Sequence, residues 1–420
     1  MNPKSRTILL SIMAFYLIAM PLILTNYNVG RAYFDENAFH WPTIQAFIQS
    51  FDFSDYPSAT TPGYHILLAA CATLFSDDII FLKLISSLFT AGLIGLFAAL
   101  LYDRAGQGKT LIMLFPMIFS LYILPDGVWL VPDNLAWLTV GLMFALAVSC
   151  SATWRYFFWS GVVLLVAVAV RQSNLWLAAL PVTMALSSIY HGKLTGNEKR
   201  KYILAAVLVA IPAIALLFYF YQLWDGLVPP RMQGRHQHLS YSAPAFFLTL
   251  FFVYSFFYLP LIWTACKKML SVQTVIVIGA GFGMGCLLAL FPATDYNYDA
   301  GRFSGFWNFV RLAPVMGNTS ILLVCTSTIG GALLAGWLLL LKKEIRLVFI
   351  LTIAGYVLSL VCNAVLYERY FSGFLFILIF SILYRTDKIR WSEISAWSMA
   401  GPLLFTVVNA LYLLLGHLPE

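Results

Sequence analysis

Residues 7–25 read TILLSIMAFYLIAMPLILT, 19 consecutive residues without a formal charge. A helix of that length covers roughly 30 Å, the thickness of a bilayer's hydrocarbon core. A secretory leader ends at a small-residue cleavage site, and none follows this run, so it predicts an uncleaved first transmembrane helix. The pattern then repeats. Apolar runs recur at 79–101, 110–125, 133–150, 157–171, 175–190, 202–222, 244–265, 271–291, 318–341, 347–366, 370–384 and 395–415, which with the first predict about 13 spans. Composition agrees: 61% of residues are hydrophobic, 10% are charged, and 34 of 420 are Phe. The mean hydropathy of +0.84 excludes an ordinary soluble domain. The expected fold is all-α, a polytopic transmembrane helix bundle forming one integral-membrane domain over residues 1–420.

Two stretches, 38–50 and 63–75, are partly apolar but short and flanked by polar residues. They predict amphipathic helices lying along the membrane surface within a first outer loop, 26–78. If either crossed the membrane, the sidedness of every later segment would invert. The distribution of basic residues provides the check. With the N-terminus inside, the inner connections hold 17 of the 25 Lys and Arg residues, among them Lys4, Arg104, Lys199, Lys267, Lys342 and Lys388. The outer side keeps Arg31, Arg171, Arg231, Arg235, Arg302, Arg311 and Arg369, with Lys83 near the outer end of the second span. The net charge of +7 therefore reports orientation, and no nucleic-acid partner is expected. The six Cys are scattered, without a CxxC pair, and indicate neither a disulfide framework nor a zinc site.

The longest polar segments, 26–78, 223–243 and 292–317, all lie outside, with short outer turns at PDGVWLVPDN (125–134) and RQSN (171–174). Transporters concentrate ionisable groups at mid-span. Here the spans are nearly free of charge, and the polar groups converge on one membrane surface. GAGFGMG (279–285) lies inside an apolar run, where its glycines suit close helix packing rather than a nucleotide.

Four motifs carry a resemblance: FDENAFHWPTIQ (34–45), TTPGY (60–64), RQSN (171–174) and ERYF (368–371). In content and order the chain resembles the GT-C superfamily of membrane glycosyltransferases, and within it the dolichyl-phosphoglucose-dependent α-1,2-glucosyltransferases of N-glycan precursor assembly. The resemblance implies an inverting glycosyltransferase that moves one sugar, glucose or another hexose or pentose, from a polyprenyl-phosphate donor. The acceptor would be a lipid-linked or other glycan at the outer face. It implies no metal and no cofactor, and makes membrane lipids the remaining partner. The chain departs from the family pattern D-E-x-F-H-x-P, because Asn37 and Ala38 both stand between Glu36 and Phe39. One extra residue in a continuous α-helix turns His40 by roughly 100° relative to Asp35. The loop PPRMQGRHQHLSYS (229–242) keeps only the basic, His-rich character of its counterpart.

An inverting transfer needs a base for the acceptor hydroxyl and cations for the departing phosphate. Asp35 is the candidate base and Glu36 its alternate, although acids at this position also suit the start of a surface helix. Arg369 and Arg171 are the candidate phosphate ligands, with lipid-headgroup snorkelling as the structural alternative. His40, His65, Asn174, Arg235, His236 and His238 are candidate substrate contacts. Arg302 and Arg311 fit an aromatic belt beside Phe303, Trp307 and Phe309, and Asp126 and Asp133 read as turn formers. Two other functions fit the same surface: a transporter or flippase of a lipid-linked saccharide, and a ligase or polymerase using polyprenyl-diphosphate oligosaccharides. The single sequon, at Asn318, and the lack of a soluble domain fit a bacterial inner membrane with the site facing the periplasm better than the endoplasmic reticulum.

Overall fold

Capping and chain breakers set the order of helices in the computed structural model, which describes residues 1–26, 31–192, 195–234, 239–269, 271–290, 305–363 and 366–415. Helix α1 (Pro3–Leu24) is capped by Asn2, whose side chain accepts from the Ser5 N–H at 2.7 Å. Pro3 takes the first helical position, where a missing N–H costs nothing. Next come α2 (Arg31–Asp35), a π turn (Glu36–His40), α3 (Trp41–Gln49) and α4 (Gly63–Leu74). Helix α5 (Ile79–Ile118) begins on an Asp78 cap and is interrupted at Gly106, whose φ of 73° and ψ of 178° are not helical. The runs at 79–101 and 110–125 are therefore joined through this break rather than by a loop. There follow α6 (Ile123–Val128), α7 (Asp133–Ser149), α8 (Trp154–Val170), a 3₁₀ segment (Gln172–Ala178), α9 (Ala179–His191), α10 (Gly196–Trp224) and α11 (Pro230–Gln233). The remainder comprises α12 (Ala243–Lys268), α13 (Val272–Leu290), α14 (Phe306–Leu312), α15 (Ile321–Leu339), α16 (Lys343–Val361), α17 (Arg369–Arg385) and α18 (Ala400–Leu415). A two-residue ladder, Val315–Met316 against Thr319–Ser320, precedes α15.

Among the described residues eight helical segments, α1, α5, α10, α12, α13, α15, α16 and the stretch Ala396–Leu413 that joins a 3₁₀ turn to α18, are long and apolar enough to cross a membrane. The architecture is that of a helical multi-pass membrane protein. Several apolar runs fold as shorter helices. Helices α7, α8 and α17 have 17 residues each, and the run at 175–190 divides between the 3₁₀ segment and a 13-residue α9. Apolarity does not by itself separate a lipid-facing helix from one enclosed by protein. Helix α17 shows why: every residue from Phe371 to Leu383 is buried.

The chain packs as two compact units, Met1–Arg235 with Thr406–Glu420, and His236–Phe405. In the first, α3, α4, α5, α7, α8 and α10 share a core of Ile44, Phe47, Tyr56, Tyr64, Leu82 and Trp224. Trp224 donates its indole N–H to the Phe53 carbonyl at 2.7 Å, tying α10 to the loop between α3 and α4. Helix α3 buries Thr43, Ile44 and Phe47 and exposes Gln45 and Gln49, as an amphipathic helix should. Helix α4 differs from that expectation, since it exposes Leu67 and Leu74 while it buries Tyr64, His65, Leu68, Ala69 and Ala72.

In the second unit α13 and α15 approach at backbone distance. A Cβ on Gly281 would lie 2.5 Å from the Gly331 carbonyl oxygen, and one on Gly285 only 2.3 Å from that of Ser327. The glycines of GAGFGMG thus serve helix packing. Tyr356 of α16 stacks on Phe374 of α17 at 3.9 Å, and Tyr254 of α12 hydrogen-bonds Ser372 at 2.7 Å. Trp307 is buried against Phe246, ring centroids 3.7 Å apart, so it belongs to this core and not to an aromatic belt.

Candidate functional site

The acidic motif does not continue as an α-helix. From Glu36 to His40 the chain forms a π turn, closed by the Trp41 N–H donating to the Glu36 carbonyl five residues back. Such a turn admits one extra residue into a helix. Pro42 explains why it forms here. A proline continuing an α-helix loses one hydrogen bond and clashes with the carbonyl four residues earlier, and a widened turn moves that carbonyl aside. The inserted residue is thereby absorbed, because a five-residue step through a π turn takes the place of a four-residue step in an α-helix. Asp35, Glu36 and His40 are all buried, while Asn37 is exposed and bonds the Tyr33 carbonyl at 2.9 Å.

Glu36 is fully enclosed. Its Oε1 lies 2.9 Å from Lys83 Nζ on α5, and its Oε2 accepts the Leu130 N–H at 2.7 Å. Lys83 also donates to Asn26 Oδ1 at 2.7 Å, just beyond α1. Burial pushes the Glu36 carboxyl up from the ordinary carboxylate range, and Lys83 and the Leu130 N–H pull it back. With both oxygens engaged and the side chain closed to solvent, Glu36 is a brace linking three segments rather than a group open to substrate. Asp35 is the acid of the pair that retains some exposure, at 8%.

His40 and His65 form a pair between the π turn and α4. His40 Nδ1 and His65 Nε2 are 3.0 Å apart, with the rings stacked at 5.2 Å between centroids. His65 is fully buried among the rings of Phe47, Tyr56 and Tyr64. Burial pushes its imidazole down to about 3, so it is neutral at physiological pH.

The other first-unit candidates hold the scaffold. Arg171, directly after α8, pairs with Asp133 at the start of α7, Nη2 to Oδ1 at 3.0 Å. Its charge is matched by a buried carboxylate that the sequence presents only as a turn former. Gln172 accepts the Thr61 N–H at 3.0 Å and donates to the Ala59 and Leu227 carbonyls at 2.6 and 3.2 Å. Thr61 Oγ1 donates to the Val168 carbonyl at 2.6 Å. TTPGY and RQSN are therefore two halves of one clasp. Gly63 permits it, because a Cβ there would lie 2.5 Å from the Ala169 carbonyl oxygen. Asn174, just beyond α8, donates to the Ala167 carbonyl at 3.2 Å and is buried.

In the second unit, Arg369 opens α17 with its guanidinium carbon 5.4 Å from the ring centroids of both Tyr367 and Tyr370, a cation–π contact with each, and the two rings themselves meet edge to face at 5.3 Å. The buried Glu368 accepts the Phe306 N–H at 2.6 Å, tying the start of α14 to that of α17. Arg235, His236, His238, Arg302 and Phe303 lie outside the described residues. Among the described residues no group of three or more His, Cys, Asp or Glu side chains is placed to hold a metal ion.

Sequence reading did not single out Lys83, Leu130 or Asp133 as members of this cluster. A signal existed for Lys83, since a lysine inside an apolar run requires a partner. Leu130 contributes only its backbone, which leaves no mark in a sequence. No family model matches the chain, and neither curated proteins nor solved structures provide a match.

Proposed function

We propose that the protein is an inverting glycosyltransferase that takes a single sugar from a polyprenyl-phosphate donor, with Asp35 as the base. Asp35 removes the acceptor hydroxyl proton as that oxygen attacks the anomeric carbon, and the bond from that carbon to the phosphate oxygen breaks on the opposite face. The polyprenyl phosphate departs with the electron pair. Arg369 carries the proposal of a phosphate contact from its ERYF motif, and its two tyrosine neighbours support a held, preoriented guanidinium. The proposed topology has about 13 crossings with the acidic motif on the outer face of a bacterial inner membrane.

One observation carries the reading. Asp35, Glu36, Lys83, Asp133 and Arg171 are buried or half-buried around helix ends and the π turn, not at the middles of the long apolar helices. Chemistry at a membrane surface uses such a placement, whereas solute passage requires ionisable groups along the path. The enclosure of Glu36 supports a single-carboxylate mechanism, because retention by double displacement would need a second carboxylate open to substrate as nucleophile.

Detergent-solubilised protein should transfer sugar from a short-chain polyprenyl-phosphate hexose without a gradient or ATP, and the product's anomeric centre, read by NMR, should be inverted. A retained centre would overturn the single-base mechanism. Absence of transfer from a panel of polyprenyl-phosphate hexoses and pentoses, together with saccharide uptake in proteoliposomes, would assign the protein to transport.

A further inference from the structure

The His40–His65 contact constrains where the protons lie. In a neutral imidazole one nitrogen carries hydrogen and the other accepts. His65 Nδ1 is buried and has no hydrogen-bond partner among the described residues. Placing the proton there would strand a donor away from water while leaving Nε2 to accept from His40. Placing it on Nε2 uses the donor in the 3.0 Å contact and leaves only an unprotonated nitrogen against the aromatic rings, the less costly arrangement. His40 Nδ1 is then the acceptor, and the proton of neutral His40 must reside on its Nε2. The π turn adds the second element, since its wider step gives residues 35 and 40 the relation that an i, i+4 pair has in an α-helix.

We propose that His65 is a positioning residue that fixes His40 as the neutral Nε2–H tautomer, and that this N–H holds the Asp35 carboxylate in the orientation needed to take the acceptor proton. Both histidines remain neutral throughout: the proton removed from the acceptor hydroxyl goes to Asp35, and His40 keeps its own. The proposal rests on the assignment of Asp35 as base for its catalytic consequence, whereas the tautomer assignment stands on the geometry alone.

The test uses full-length protein, ¹⁵N-labelled at its six His residues, reconstituted in bilayers for solid-state NMR, with turnover measured on the same preparations. Signals are assigned with His40→Gln and His65→Gln. Wild type should show His40 protonated at Nε2 and unprotonated at Nδ1. His65→Gln, whose amide nitrogen takes the place of Nε2, should preserve that signal and most of the turnover. His65→Asn, whose amide reaches only the Nδ1 position, and His65→Leu should shift the His40 signal and lower kcat by up to about 10²-fold, the scale of a misaligned reacting group. A His40 signal unchanged in His65→Asn, or a wild-type His40 protonated at Nδ1, would overturn the tautomer assignment. A shifted signal with full turnover would overturn the positioning role. If Asp35→Asn is fully active while the tautomer result holds, the base assignment has failed and the His65–His40 relationship has not. Gln and Asn differ little in polarity, so loss of fold in the Leu variant leaves a decisive comparison.

Discussion

Lys83 Nζ and Glu36 Oε1 are 2.9 Å apart, and neither side chain has more than 1% of its surface exposed. Removing one partner leaves the other as an uncompensated buried charge, which typically costs about 3–5 kcal/mol, whereas removing both can be nearly neutral. Glu36→Gln and Lys83→Met should each lower stability on that scale, and the double variant should regain most of it. Thermal unfolding in detergent reads the cycle; additive losses would show that the two side chains act independently.

Asp35 and Glu36 are adjacent in sequence and differ in access. Asp35→Asn keeps the shape of the side chain and removes its basicity, so turnover should fall by about 10² to 10⁴ with donor affinity little changed. Single-turnover kinetics with a bound donor separates the two quantities. Full activity in purified Asp35→Asn would transfer attention to Glu36, in spite of its enclosure.

The clasp between TTPGY and RQSN depends on Gly63 having no side chain. A methyl group there meets backbone, the Ala169 carbonyl, which cannot rotate away as a side chain would. Gly63→Ala should therefore separate α4 from α8 and lower both stability and activity. Thr61→Val, which loses the 2.6 Å bond to the Val168 carbonyl but fits the same space, should cost only about 1 kcal/mol. A thermal shift smaller for Gly63→Ala than for Thr61→Val would contradict the close approach.

His65 gives stability a pH dependence of defined sign. Its imidazole titrates near 6.5 in an unfolded chain and at about 3 in the folded one. Between those values the unfolded state binds more protons, so the contribution of His65 is complete above about 6.5 and is lost as pH falls towards about 3. Unfolding followed from pH 7 to 4 should show a shallower acid loss in His65→Gln than in wild type. Equal slopes would mean that His65 does not remain neutral in the fold.

The distribution of basic residues predicts a sidedness that labelling can check. In a background lacking the six native Cys, Ser54→Cys and Asn197→Cys both place a thiol at an exposed position. An impermeant thiol reagent added outside intact cells should label the first and not the second. The reverse pattern would put the acidic motif on the cytoplasmic face and remove it from any outer-face acceptor.

The sequence by itself determined the class of this protein, a helical multi-pass membrane protein. Residues 7–25 and their later counterparts are apolar over lengths that water does not tolerate, and a span of that kind follows from composition alone. The glycines at 281 and 285, the helices after Asp35 and after Pro62, and the acidic motif that precedes both were all legible, because each depends on neighbours within a few residues. Tertiary structure decided the rest. An inserted residue at 37–38 appears in sequence as a rotation, and only the folded chain, with Pro42 following, absorbs it in a π turn. Which of two adjacent acids is a brace depended on Lys83, 47 positions beyond Glu36, and on the N–H of Leu130, 94 positions beyond it. RQSN shows its hydrogen-bonding groups in the sequence, but that Gln172 holds two loops and Arg171 pairs with a buried Asp133 is set by the fold, since hydrogen-bond capacity is a property of the side chain and its partner a property of the tertiary structure. Length and charge pattern act locally along the chain and survive in the sequence; pairing, burial and tautomer are set by residues far apart in it and exist only once those residues meet.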